Sequence, residues 1–153
     1  MIRNPDRLYL DCPPGVPQMY ALRLIEHFFL DPLGQVWDVT ITSAYRNQTA
    51  QAGLYAMDAA KVARKAKGVS QHVLGEAVDF VPEGSMTDCY LWCLDNLRPW
   101  QALLEYGKHG PECIHLSLPS TIETIKSKRL LFVGGLWRVF DGTFPNINGG
   151  LVA

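Results

Sequence analysis

The sequence predicts an α+β domain: a small antiparallel sheet with helices packed on it. Three observations predict this. Residues 17–30 carry apolar residues at helical spacing, 48–66 are alanine-rich, and Ser85 opens a further helix. Short runs rich in β-branched and apolar residues lie at 36–42, 76–82, 101–106, 112–118 and 129–140. A length of 153 residues suits one domain with a sizeable core. Residues 1–153 are therefore read as a single domain, with a motif-bearing part at about 20–118 and a C-terminal hairpin and tail at 127–153.

Residues 1–16, rich in Asp and Pro, read as an irregular lead-in. In the first helix Met19, Leu22, Ile25 and Phe29 form the apolar stripe, and Leu24 and Phe28 widen it. Arg23, Glu26 and His27 fall on the solvent side, and Pro32 with Gly34 ends the segment. Val36 to Thr42 alternates as a strand does and feeds into Ser43-Ala44-Tyr45-Arg46. The next helix closes at Lys67-Gly68. Its Lys61, Arg64, Lys65 and Lys67 suit the negative end of a helix dipole. Glu76 to Pro82 is a strand. Ser85 and Asp88 fit a capping box that starts a helix running to about Leu97. Gln101–Tyr106 and Glu112–Leu118 read as a hairpin with a longish loop, and Gly134-Gly135 as a two-residue turn. The last ten residues read as loose.

Composition excludes several classes. A net charge of −1 offers no basis for neutralising phosphates, so no nucleic-acid partner is expected. No apolar run approaches the roughly 20 residues that span a bilayer, and the start of the chain lacks the apolar core of a signal peptide. Synthesis in a cytoplasm and a monomeric state are expected. Four cysteines without a CxxC pair argue against a four-cysteine structural zinc site. Cys89 and Cys93, four apart on one helix, read as small buried apolar residues.

The chemistry concentrates in Ser70-Gln71-His72-Val73-Leu74-Gly75-Glu76-Ala77-Val78-Asp79-Phe80. His72 and Asp79 lie seven residues apart, and His115 stands in the later strand. Two imidazoles and a carboxylate make a three-ligand set for a catalytic zinc, with a fourth position left open. Gly75 between the first two lets the chain turn sharply.

The pattern Ser70-Gln71-His72-x-x-Gly75-Glu76-Ala77-x-Asp79-Phe80 resembles the SxHxxGxAxD signature of the zinc D-alanyl-D-alanine carboxypeptidase family. That family includes L-alanyl-D-glutamate peptidases and many phage endolysins. Thr42-Ser43-Ala44-Tyr45-Arg46, Gln101-Ala102-Leu103-Leu104-Glu105-Tyr106-Gly107 and Ile114-His115-Leu116-Ser117 resemble three further family segments, in the family's order. The resemblance implies a hedgehog/DD-peptidase-like fold and one Zn2+ per chain held by His72, Asp79 and His115. It implies that Arg46 grips a substrate carboxylate or carbonyl, with Ser70, Gln71 and Gln101 on the substrate side. It implies hydrolysis of an amide in bacterial peptidoglycan stem peptides, as a D,D-carboxypeptidase or endopeptidase of the phage-endolysin type. Such an enzyme reaches the wall by export or lysis.

Two glutamates compete as general base. Glu105 is the family-matched residue and shares a strand face with Gln101 and Leu103, whereas Glu112 has the Glu-x-x-His spacing of other branches. Some features depart from the pattern. Cys113 stands where relatives often have tryptophan, and the stretch after Arg46 carries lysines in place of a glycine pair. Plainer alternatives stand beside these readings: a structural salt bridge for Arg46, a surface or supporting position for Glu76, and a solvated loop position for His109. For the whole chain they are a non-catalytic zinc-stabilised binding or virion domain, and a dipeptidase acting on free D-alanyl-D-alanine.

Overall fold

The computed structural model describes residues 1–57, 70–122 and 126–145. The expected helix beyond residue 57, its basic residues Lys61, Arg64, Lys65 and Lys67, and the tail from 146 lie outside the described residues.

The chain runs through β1 (Ile2–Arg3), a 3-10 turn (Pro5–Leu8), α1 (Pro17–Ile25), a π turn (Glu26–Leu30) and α2 (Asp31–Val36). It continues with β2 (Val39–Ser43), α3 (Gln48–Met57), β3 (Ala77–Pro82) and α4 (Met86–Asn96). The hairpin strands β4 (Gln101–Gly107) and β5 (Gly110–Ser117) follow, then β6 (Lys128–Val133) and β7 (Leu136–Val139). The α+β class is as the sequence predicts. The sheet is larger than expected and mixed: seven strands in the order β1-β2-β3-β5-β4-β6-β7. β1 pairs with β2, and β4 with β6, in parallel. A two-residue edge strand carries no readable alternation, and the direction of β6 depends on the path of the chain after β5. Neither is visible in a local pattern.

The lead-in is less irregular than its composition suggests, since it also buries Leu8. The first helix continues further than expected. Pro32 falls in the first turn of α2, directly after the π turn, and does not stop the helix. Gly34 lets the edge strand approach: a Cβ there would meet Ile2 Cγ1 at 2.9 Å. The π turn rotates the apolar stripe. Leu30 and Leu33 are buried, whereas Leu24 and Phe28 stay 48% and 55% exposed.

Side chains alternate across the sheet, so its two faces differ. One face carries Val39, Ile41, Val78, Phe80, Ala102, Leu104, Ile114, Leu116 and Leu131 into the main core. There α1 contributes Leu22 and Ile25, and α4 contributes Cys89, Tyr90 and Cys93. Each fully buried large apolar side chain stabilises the fold by about 1.5–3 kcal/mol. Ser85 caps α4, its Oγ accepting from Asp88 N at 3.2 Å. The β4–β5 turn is tight, with Gly107 paired to Gly110, in place of the longer loop expected. Gly134 and Gly135 both take positive φ, 58° and 78°, as the two-residue β6–β7 turn requires. The opposite face of the sheet holds the smaller cluster Leu103, Leu130 and Phe132, and the candidate site.

Candidate metal centre

Strand register assembles most of the site. Asp79 on β3 stands directly opposite His115 on β5, and Ser43 on β2 flanks Asp79 from the other side. Leu103 on β4 completes the row beyond His115. His72 arrives from a tight turn between Ser70 and Gly75. In that turn Val73 N donates to Ser70 O, Gly75 N to His72 O and His72 N to Ser70 Oγ. Gly75 takes φ 69°, and a Cβ there would lie 2.6 Å from the carbonyl oxygen of Gln18. The turn therefore requires glycine twice over, for conformation and for space.

Three residues from separate segments thus converge. One ligand atom each from His72, Asp79 and His115 lies within 4.8 Å of the others. His115 Nδ1 is 2.7 Å from Asp79 Oδ1, and His72 Nε2 is 3.2 Å from Asp79 Oδ2. The imidazoles meet edge to face with centroids 5.0 Å apart. In a tetrahedral site with bonds near 2.0–2.1 Å, neighbouring donors stand about 3.3 Å apart, so little movement separates this set from a closed coordination shell.

The backbone fixes which nitrogen of His72 faces the site. Nδ1 lies 2.6 Å from the carbonyl oxygen of Ala44, which can only accept, so Nδ1 carries the proton. Burial pushes the pKa of His72 down, more strongly than the Asp79 charge raises it, and Arg46 and His115 push it down further. Nε2 is thus the nitrogen that faces the site, 3.2 Å from Asp79 Oδ2. A cation placed among the three residues would meet both imidazoles and the carboxylate. Two imidazole nitrogens and a carboxylate oxygen are donors that suit zinc. These residues fit a metal ion.

Asp79 is held as an anion. Burial opposes its ionisation, but the two histidines outweigh that and keep its carboxyl well below the usual carboxylate range. Arg46 also pairs with it, Nη2 donating to Oδ2 at 2.8 Å, while Nε reaches Ser43 Oγ and Nη1 reaches Gln51 Oε1. The salt-bridge alternative for Arg46 is thus what the geometry contains.

The remaining predicted residues fall in different places. Gln71 is buried and gives its amide to Leu118 O at 3.3 Å, and Gln101 gives its amide to Lys126 O. Ser70 Oγ caps the His72 turn. These groups brace the scaffold. Glu105 stands opposite Cys113, one pair along the same face from Leu103 and His115. The Cys113 thiol is pushed well above its ordinary range by burial, and then by the charges of Asp79 and Glu105 on either side. Glu112 falls where the β4–β5 register slips, and its carboxylate fills the space that a Cβ on Gly107 would need. His109 is exposed at the hairpin turn, away from the three donors.

One contributor escaped the sequence: the Ala44 carbonyl is backbone, so no residue type announces it. Of the two positions offered for Glu76 the structure takes the supporting one, since it is only 3% exposed. Its Oε1 accepts from Thr121 N and Thr121 Oγ1 at 3.0 and 2.6 Å, tying the segment after β5 to the His72 turn. Its partner lies 45 residues away, which no local pattern shows.

No protein-family model, curated protein or solved structure matches this chain. Among the described residues, no helix is long and apolar enough to cross a membrane.

Proposed function

We propose that this protein is a zinc-dependent peptidase that hydrolyses an amide bond in peptidoglycan stem peptides, as a phage-type endolysin does. The observation that carries the proposal is the convergence of His72, Asp79 and His115, with the tautomer of His72 fixed by the Ala44 carbonyl. The ordered resemblance of four segments to the zinc D-alanyl-D-alanine carboxypeptidase family supplies the reaction class.

In this reading Nε2 of His72, a carboxylate oxygen of Asp79 and a ring nitrogen of His115 would hold one zinc. A zinc so held would polarise a carbonyl and acidify a water molecule. The protein's own groups do the rest. Arg46 orients Asp79, and one of its N–H groups leaves Gln51 or Asp79 to grip the substrate's carboxylate or carbonyl. A glutamate takes the proton of the attacking water and delivers it to the leaving amine nitrogen. Glu105 is the favoured base because it shares a sheet face with His115. Glu112 is the competitor.

The test is incubation with purified peptidoglycan, with and without chelator. Release of new amino groups that stops with chelator and resumes with added zinc is the expected result. A folded, zinc-loaded protein that releases nothing from several wall chemotypes overturns the proposal.

A further inference from the structure

One oxygen of Asp79 is claimed twice. Oδ2 accepts from Arg46 Nη2 at 2.8 Å and lies 3.2 Å from His72 Nε2, the nitrogen that faces the candidate metal site. Oδ1 is turned to His115 Nδ1 at 2.7 Å. The spacing of His72 Nε2 and Oδ2 is already that of neighbouring donors in a tetrahedral shell, about 3.3 Å. A cation held by His72 and Asp79 therefore draws on the oxygen that Arg46 uses.

Arg46 is anchored independently of Asp79. Its backbone N donates to His72 O at 3.2 Å, Nε to Ser43 Oγ at 2.9 Å and Nη1 to Gln51 Oε1 at 3.1 Å. Gln51 is only 8% exposed, in the first turn of α3, where Asn47 Oδ1 caps the helix by accepting from Ala50 N. Both side-chain acceptors are neutral, so they fix the guanidinium at the site without cancelling its charge. Asp79 is its one ionic partner among the described residues. In the empty site Arg46 and Asp79 balance. A dication on the three donors engages the Asp79 charge, and Arg46 then stands beside it as a second cation, close enough for strong repulsion in a part-buried site. An anion at Nη2 relieves that repulsion, and a guanidinium takes a carboxylate with charge-assisted bonds.

We propose that Arg46 is a metal-gated anion grip: it competes with the metal for Asp79 while the site is empty, and takes a substrate carboxylate once the site is filled. Metal and carboxylate then bind with positive coupling, each raising the affinity for the other by the same factor. The proposal rests on His72, Asp79 and His115 holding a metal, and adds to that reading the dependence of substrate binding on metal occupancy.

The experiment uses the full-length protein and two measurements. Zinc affinity is read by competition with a chromophoric chelator in the parent, Arg46→Gln and Arg46→Lys. Arg46→Gln is expected to bind zinc at least about fivefold more tightly, the lower end of ordinary coupling between sites, whereas Arg46→Lys keeps the charge and stays near the parent. An arginine that merely supported Asp79 would give the opposite sign, a loss of about 10–100-fold. The second measurement is titration calorimetry with N-acetyl-D-alanine as the carboxylate probe, and in the parent it needs no substitution. The probe is expected to bind zinc-loaded protein at least about fivefold more tightly than zinc-free protein, and Arg46→Gln to lose that gain, which a probe held by zinc alone would keep. Zinc affinity unchanged or weaker in Arg46→Gln overturns the proposal. So does equal probe affinity with and without zinc, or a gain that survives Arg46→Gln. Those results leave the metal centre standing; a parent that takes up no zinc removes the metal centre and this proposal together.

Discussion

Replacing Asp79 with Asn tests the metal centre most directly, because one carboxylate faces Arg46, His72 and His115 at 2.7–3.2 Å. Asparagine keeps the shape and removes the charge. In the metal-free protein Arg46 then loses Asp79, its one ionic partner among the described residues. Breaking a buried pair from one side costs about 3–5 kcal/mol. Asp79 is 14% exposed and Arg46 20%, so the lower end, about 3 kcal/mol, applies. At roughly 2–4 °C per kcal/mol for a chain of this size, Tm falls by about 6–12 °C.

The metal side loses its one anionic donor. Zinc affinity drops by at least about 100-fold, roughly 2.7 kcal/mol, more than the loss of a supporting contact outside the coordination shell would cause. The pH dependence changes as well. Burial holds the His72 pKa down, so below about 6.5 the unfolded chain binds a proton that the folded chain does not, and stability falls as pH drops. The Asp79 contribution has the same sign but a lower window: it is present above about 3.9 and lost below. In the variant the second loss vanishes. The first steepens, because no carboxylate offsets the burial of His72. Thermal melts from pH 4 to 8 and zinc competition against a chromophoric chelator read both effects. If the variant binds zinc stoichiometrically within threefold of the parent affinity, these three residues are not the ligand set.

Substitutions at five other positions probe the surroundings. Gly75→Ala places a methyl group against the Gln18 backbone and in left-handed conformation, so it costs about 2–4 kcal/mol in urea unfolding and weakens zinc binding; an unchanged midpoint contradicts the packing described. Glu105→Gln abolishes amide hydrolysis while zinc stays near stoichiometric by metal analysis, whereas Glu112→Gln, and Gly107→Ala, which displaces the Glu112 carboxylate, leave turnover within a few-fold; the reverse pattern transfers the base role to Glu112. Glu76→Ala strips Thr121 N–H and Oγ of their acceptor and costs about 1–3 kcal/mol, and Glu76→Gln, which keeps one oxygen, costs less; equal losses in the two variants refute the Thr121 tie.

Elements that announce themselves locally were legible in the sequence. The Ser85 cap, the Gly134-Gly135 turn and the strands β3, β4 and β5 depend on neighbours within a few residues, and the structure contains each of them. What depends on distant neighbours was not. Pro32 reads as a stop, yet it begins α2, because a π turn before it resets the helix. Phe28 and Leu24 match the edge of the helical stripe, yet both face solvent, at 55% and 48% exposed. The pairing of His115 with Asp79 could not be read from their spacing along the chain. It follows from β3 and β5 being adjacent, although α4 and β4 lie between them in sequence.

This adjacency explains why the site is held so tightly. Two of the three donors are cross-strand neighbours on one sheet face, so their separation is set by sheet geometry and cannot drift with a loop. The third comes from a turn, the less rigid kind of support, and that turn is the most heavily braced. Arg46 N donates to His72 O, Gln71 and Glu76 bind the segment after β5, and the Ala44 carbonyl holds the ring itself. The braces run to the strands that carry or flank the other two donors, β2 through Ala44 and Arg46, and β5 through Leu118 and Thr121. Preorganisation of this kind costs stability, as the buried, unpaired Oε2 of Glu76 indicates. A cation bound among the three donors stabilises the folded turn, which ties the stability of the turn to the occupancy of the site.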